Sequence, residues 1–333
     1  MENFNKKHFI IIGFILCILL EVFVYQLNHK LNLFKPFIQV KPNKGHEMRG
    51  DSGAFTNTLI ECIDDEDRDA PSELNISKSK LQNLVNAEIS KNKLLSMSVY
   101  IRDLNNGPWI GINDQEKFIG GSLLKIPILI SYLKLADNDS SILEKEIEYK
   151  NKIEDNNQYY SPSKELEVDK KYKVSELLEY MIKYSDNNAA YLLFINLDKK
   201  DFDATFEALG FGDPDPNAPY IVNSVSYAGF FRVLYNVSYL SKKNSERALR
   251  MLSQTEFDRG INADLPKDIV ISHKFGIRSD GPINQLHDCG IVYYPKHPYL
   301  LCVMSKGGKF PDMAKGIAEV SKFVYEEVNN NHD

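Results

Sequence analysis

Apolar residues at Ile76, Leu81, Leu84, Val85 and Ile89 recur at helical spacing, which predicts an amphipathic helix near the start of a folded region. The period then changes. "LLSMSVYIRDL" followed by "PWIGIND" reads as a hairpin that turns at Asn105-Asn106-Gly107-Pro108. "FIGGSLLKIPILISYLKLAD" is a helix opened by glycines, and helical patterns fill most of 175–255. Three further strands follow in "DIVISHKFG", "CGIVYYP" and "YLLCVMS". The closing segment "DMAKGIAEVSKFVYEEV" places Met313, Ile317, Val320 and Phe323 along one side of a helix. This order predicts an α+β fold. One antiparallel sheet is assembled from both ends of the sequence, terminal helices cover one of its faces, and an all-helical lobe is inserted between the hairpins. The domain is expected over 75–330.

Upstream the pattern differs. Lys6 and Lys7 precede an apolar run from Phe9 to Tyr25, interrupted by Glu21 near its far end. No small residues mark a signal cleavage site, and Cys17 follows Leu16 rather than a small residue, which argues against lipid modification. The expectation over 1–29 is a cytoplasmic tip and an uncleaved transmembrane anchor helix, with the bulk of the chain outside the cell. An inefficiently cleaved signal peptide is the competing reading. Residues 30–74, which contain "ECIDDEDRDAPSE", read as an acidic flexible tether.

Composition changes little. Hydrophobic residues make up 43% and charged residues 26%, as in an ordinary soluble domain. The net charge of −6 argues against a general nucleic-acid binder. Four cysteines, Cys17, Cys62, Cys289 and Cys302, neither form a disulfide scaffold nor show metal-ligand spacing. Cys289 and Cys302 flank "GIVYYPKHPYLL", a hairpin turning near Pro295 and Lys296, which puts them opposite each other as a cross-strand disulfide or as two buried thiols.

Candidate chemistry begins in "GGSLLKIPIL". On a helix Ser122 and Lys125 share a face, and a lysine whose pKa is lowered by burial can take a serine proton. Backbone N–H groups at the helix start can meet a developing oxyanion. The same serine-x-x-lysine spacing recurs at Ser77, Ser90, Ser131 and Ser161, where a solvated lysine explains it. Ser122 alone follows two glycines and precedes a buried helix. A second motif, Ser185-Asp186-Asn187 in "YSDNNAAYLL", reads equally as a helix cap. A third, Lys274-Phe275-Gly276 in "SHKFGIRSDG", combines a lysine with a glycine that admits a close backbone approach. Lys306-Gly307-Gly308 follows the last strand and is set aside.

Serine-x-x-lysine, serine-aspartate-asparagine and lysine-x-glycine, in that order, form the signature of class A β-lactamases and penicillin-binding proteins. The chain resembles that superfamily over about 75–330, and the class A branch most. The resemblance implies a β-lactamase/transpeptidase-like fold and an acyl-enzyme formed on Ser122, with Lys125 as base or electrostatic helper. By the same likeness Ser185 passes a proton to the leaving nitrogen, and Asn187 touches substrate and Lys125. Lys274 holds Ser185 and attracts a substrate carboxylate. The oxyanion hole uses the N–H of Ser122 and that of Ile277, after Gly276.

Three departures qualify it. Phe275 stands where the family has a hydroxyl residue. "LHDCG" stands where an arginine is frequent, with Arg278 as a neighbouring substitute. The loop "GFGDPDPNAPYIVNSVSYAGFF" lacks the glutamate that activates deacylating water, and its carboxylates are Asp213 and Asp215. The expectation is therefore a membrane-anchored, extracytoplasmic and monomeric serine acyl hydrolase with slow deacylation. It would act on β-lactams or D-alanyl peptides without metal or organic cofactor. The alternatives are a D-alanyl-D-alanine carboxypeptidase and a non-catalytic module that binds peptidoglycan or a partner protein.

Overall fold

The hairpins at the two ends of the domain do form one sheet. Strands β1 (Ser96–Asp103), β2 (Trp109–Ile112), β7 (Ile271–Asp280), β8 (Ile283–Val292) and β9 (Tyr299–Lys306) lie in the order β2-β1-β9-β8-β7, every pair antiparallel. The computed structural model describes residues 53–57, 75–105, 107–152, 159–210, 220–280 and 283–332. The anchor expected over 1–29 lies outside the described residues. No helix among the described residues is long and apolar enough to cross a membrane.

Both faces of the sheet are buried, so its strands alternate between two apolar cores rather than between core and water. Val99, Ile101, Leu301 and Val303 meet the terminal helices α1 (Lys78–Lys91) and α8 (Phe310–His332), where Leu81, Val85, Ile317 and Val320 are fully buried. Tyr100, Leu300 and Met304 face the other way, into the helical lobe. The centre of that lobe is α2 (Lys125–Asn138), of which ten residues are buried. A helix apolar on all sides belongs in a core, and Pro127 sits in its first turn, where no N–H is lost. Around it pack α3 (Val174–Lys183), α4 (Asn187–Ile195), α5 (Lys199–Ala208), α6 (Ser224–Tyr235) and α7 (Lys242–Leu252). Two short pairings, β3 (Phe118–Ile119) with β6 (Ile221–Val222) and β4 (Glu146–Tyr149) with β5 (Lys170–Lys173), carried no sequence signal long enough to read.

Gly53–Asn57 lies inside the stretch expected to be a tether, yet it is docked. The backbone N–H groups of Phe55 and Thr56 and the Thr56 hydroxyl all donate to Glu246 Oε1, at 3.0, 3.0 and 2.7 Å. The Asn57 N–H donates to the Tyr235 carbonyl, and the Phe55 ring meets Tyr293 edge-on. The acidic run after it lies outside the described residues.

The alternative left open for the β8–β9 hairpin is resolved. Cys289 and Cys302 are directly opposed in the register and joined as a disulfide. The bridge closes a short loop, with a sequence separation of 13. Reduction, or the double substitution Cys289→Ala with Cys302→Ala, is expected to lower stability by up to about 3 kcal/mol, seen as a drop in thermal midpoint with unchanged far-ultraviolet circular dichroism.

Candidate active site

Three segments from different parts of the chain meet at the lobe boundary. The first is the turn Gly121–Leu124, one turn of 3-10 helix that leads into α2 and carries Ser122. Ser122 therefore stands just ahead of the α-helix rather than within it. Gly121 takes a φ of +53°, and a Cβ there would lie 2.5 Å from the carbonyl oxygen of Ile277. From the other side, a Cβ at Gly276 would lie 2.4 Å from the carbonyl oxygen of Gly120 and 2.7 Å from Leu123 Cγ. The turn and the edge strand β7 thus meet backbone to backbone. What requires glycine at 276 is the turn that bears Ser122, not only the approach of a ligand.

The second segment is the link Tyr184–Asp186 between α3 and α4. The two readings of Ser185-Asp186-Asn187 divide by residue. Asp186 is the cap: its side chain accepts the Ala189 N–H at 2.8 Å and starts α4. Burial raises its pKa, opposed by backbone hydrogen bonds and by Lys125. Ser185 and Asn187 turn towards Lys125. Ser185 adopts φ +53°, a left-handed conformation that serine takes only where its surroundings impose it.

The third segment is β7 with Lys274. Lys125 Nζ donates to the Ser185 carbonyl at 2.5 Å, to Ser185 Oγ at 3.1 Å and to Asn187 Oδ1 at 2.7 Å. Lys274 Nζ donates to the same Ser185 Oγ and to the Phe275 carbonyl, each at 2.9 Å. Two ammonium groups, both buried, therefore share one hydroxyl. Burial, and then the positive charge of Lys125, hold the pKa of Lys274 well below the usual lysine value.

Ser122, Ser185, Asn187 and Phe275 line one cleft. Lys125 and Lys274 are not among its lining side chains, and both donate to Ser185, which is. Phe275 is not a simple stand-in for a hydroxyl. Its ring is buried, stacks on Phe257 at 4.1 Å, meets Tyr160 edge-on and lies 4.0 Å from Lys274 Nζ. Arg278 is exposed and is not among the side chains lining the cleft. Ile277 is half-buried, with its carbonyl turned to Gly121. Lys306 pairs with Glu116 at 2.6 Å, away from the site. The opposite wall of the cleft comes from the segment between β4 and β5 and was not legible in the sequence. It contributes Lys152, Tyr160, Pro162 and Glu165, with Lys152 and Glu165 paired at 3.0 Å. Asp213 and Asp215 lie outside the described residues. No group of three or more metal-ligating side chains occurs among the described residues.

This constellation, on this sheet-and-lobe frame, defines the serine β-lactamase and penicillin-binding class. Residues 77–328 match the pattern of the Beta-lactamase enzyme family, and the chain belongs to that family. Among solved structures it is similar to PBP-A, with 22% identity and a TM-score of 0.63 over 76% of this chain and 96% of that one. A mutant of PBP-A, solved as an acyl-enzyme complex with penicillin G, gives 22% and 0.64 over 76% and 97%. A representative class A β-lactamase from Bacteroides cellulosilyticus gives 20% and 0.65 over 76% and 98%. At these identities the structural likeness speaks to the fold. No curated protein matches the chain in sequence.

Two outcomes follow from this geometry. Gly276→Ala forces the Ser122 turn off β7 and is expected to cost about 1–3 kcal/mol, measured by denaturant unfolding. His287, which faces Gly276 across the β7–β8 register, has its imidazole pushed by burial from 6.5 down to about 4. Between those values the unfolded chain binds this proton more readily than the folded one. The stability contribution is thus complete above about pH 6.5 and is lost as pH falls towards 4. A His287→Gln variant is expected to lose stability less steeply than the parent across that window, as read from denaturant midpoints.

Proposed function

We propose that the chain is an active-site serine acyl hydrolase, acylated at Ser122 by β-lactams or by D-alanyl peptides, and that it releases the acyl group slowly. The observation that carries this reading is the Ser185 hydroxyl held between the Nζ atoms of Lys125 and Lys274 at the wall of the cleft that Ser122 lines. Two lysines buried this deeply around one hydroxyl need a reason, and shifted buried groups in a cleft mark reactive sites.

The steps follow from these parts. Ser122 Oγ attacks the substrate carbonyl, its proton passes to Lys125 in the neutral form, and the carbonyl electron pair moves onto oxygen. The N–H groups of Ser122 and Ile277 receive that oxyanion, a contribution of about 10²- to 10³-fold per donor. As the pair returns, the C–N bond breaks. The departing nitrogen takes the Ser185 proton, which Ser185 regains from a neighbouring ammonium. Asn187 orients substrate and Lys125 together.

Deacylation then needs a base for water. Of the carboxylates lining the cleft among the described residues, Asp186 is engaged in capping α4 and Glu165 is paired with Lys152. Asp186 is thus committed to structure and Glu165 is solvent-exposed, unlike a base held against a buried water, which supports a long-lived acyl-enzyme. The apolar run at 9–25 and the Cys289–Cys302 disulfide support an anchored, extracytoplasmic protein acting at the cell wall.

A fluorescent penicillin is expected to label the full chain covalently, to fail on Ser122→Ala, and to label Lys125→Ala at least about 100-fold more slowly. The bound label is expected to outlast many label-addition times. A folded chain that takes no label would favour a binding module, and rapid release would return the efficient β-lactamase reading.

A further inference from the structure

The segment that delivers the Ser122 turn is short. Strand β3 has two residues, Phe118 and Ile119, and pairs on one side with the equally short β6. A two-residue pairing fixes little by itself. What holds Ile119 on its other side is not a strand but two side chains. The Ile119 N–H donates to Gln285 Oε1 at 2.9 Å, and the Ile119 carbonyl accepts from His287 Nε2 at 3.0 Å. Gln285 and His287 are two apart on β8, so they leave the same face of the sheet. Both are buried, at 5% and 0% exposure. Together they present one acceptor and one donor at strand spacing, as a neighbouring strand would. Opposite a carbonyl, Nε2 must carry the proton, and burial keeps the ring neutral. The ring also meets Phe118 edge-on, which fixes its plane.

We propose that Gln285 and His287 are positioning residues for the nucleophile. They clamp Ile119 by both backbone polar groups, and so set the height at which Gly120, Gly121 and Ser122 seat against Gly276 and Ile277. The inference rests on Ser122 being the acylated residue. Its consequence is kinetic. The clamp lies behind the cleft, and neither residue is among its lining. Its loss therefore moves Ser122 and its N–H relative to a bound carbonyl without removing any substrate contact. A displacement of about 1 Å at a reacting atom costs on the order of 100-fold in rate.

The test uses the full chain and penicillin, with three variants. His287→Leu and Gln285→Leu each remove one arm of the clamp. His287→Gln restores an N–H donor on an uncharged side chain. Stopped-flow labelling separates the non-covalent dissociation constant from the acylation rate constant, and near-ultraviolet circular dichroism reports folding. Expected are acylation rate constants about 10- to 100-fold lower in the two leucine variants, dissociation constants within about twofold of the parent, and recovery to within about threefold in His287→Gln. Where one leucine variant fails to fold, the other and His287→Gln carry the test. Rate constants within about twofold of the parent in the folded leucine variants overturn the clamp while leaving acylation at Ser122 intact. So does a loss confined to the dissociation constant, or a folded His287→Gln that recovers nothing. A parent chain that takes no label overturns the Ser122 reading and the clamp with it.

Discussion

The hydroxyl of Ser185 is held by two buried ammonium groups, and the arrangement of the domain turns on that contact. An uncompensated lysine in the interior is costly. Lys125 and Lys274 are tolerated because each finds carbonyl or hydroxyl oxygens, and because Lys274 also lies on the face of Phe275. Each lysine comes from a different layer: Lys125 from the central helix of the lobe, Lys274 from the edge of the sheet. Ser185 lies on the link between α3 and α4, on the lobe side, and meets both lysines. Its left-handed backbone, a conformation costing about 1–3 kcal/mol, aims its carbonyl at one lysine and its hydroxyl at both. The strain is sustained by the Asp186 cap on one side and by α3 on the other. Lobe and sheet are thereby fastened at the point where chemistry would occur.

A second constraint complements it. Side chains can adapt to small shifts, but backbone against backbone cannot. At Gly121 and Gly276 the nucleophile turn and β7 approach so closely that any Cβ would collide with a carbonyl oxygen. The lysines set the electrostatics of the cleft, and the glycines set its geometry. The Tyr227 hydroxyl, donating to the Leu123 carbonyl at 3.1 Å from α6, fixes the turn from the lobe side.

Much of this was legible in the sequence, and the limits have physical causes. The long elements announce themselves by period, so the sheet built from both termini and the inserted helical lobe could be read directly. The motif residues could be placed by their order. What stayed hidden acts through space without a local pattern. Lys152 and Glu165 lie in a polar segment with neither helical nor strand period, and only folding turns it into a cleft wall. Gln285 and His287 look like ordinary positions of a strand. The docking of 53–57 depends on Glu246, nearly two hundred residues away, which no window of sequence reveals. The Ser185-Asp186-Asn187 triplet admitted two readings because both are true of different residues.

The departures from the family pattern now take a common direction. Phe275 replaces a hydroxyl, yet its ring is embedded between Phe257 and Tyr160 and supports Lys274 from below. Where an arginine is frequent on the next strand, His287 turns away from the cleft to Ile119. In both places the side chain present makes its contacts within the protein: Phe275 with Phe257, Tyr160 and Lys274, and His287 with Ile119. Arg278 is exposed, Lys152 is paired with Glu165, and Lys274 Nζ donates to Ser185 Oγ and to the Phe275 carbonyl. Ser122, Lys125, Ser185, Asn187 and Lys274 keep the family pattern, and the departures fall at Phe275, at the strand after it and in the loop without its glutamate. It is this division that the proposed reading, acylation at Ser122 with slow release, is built on.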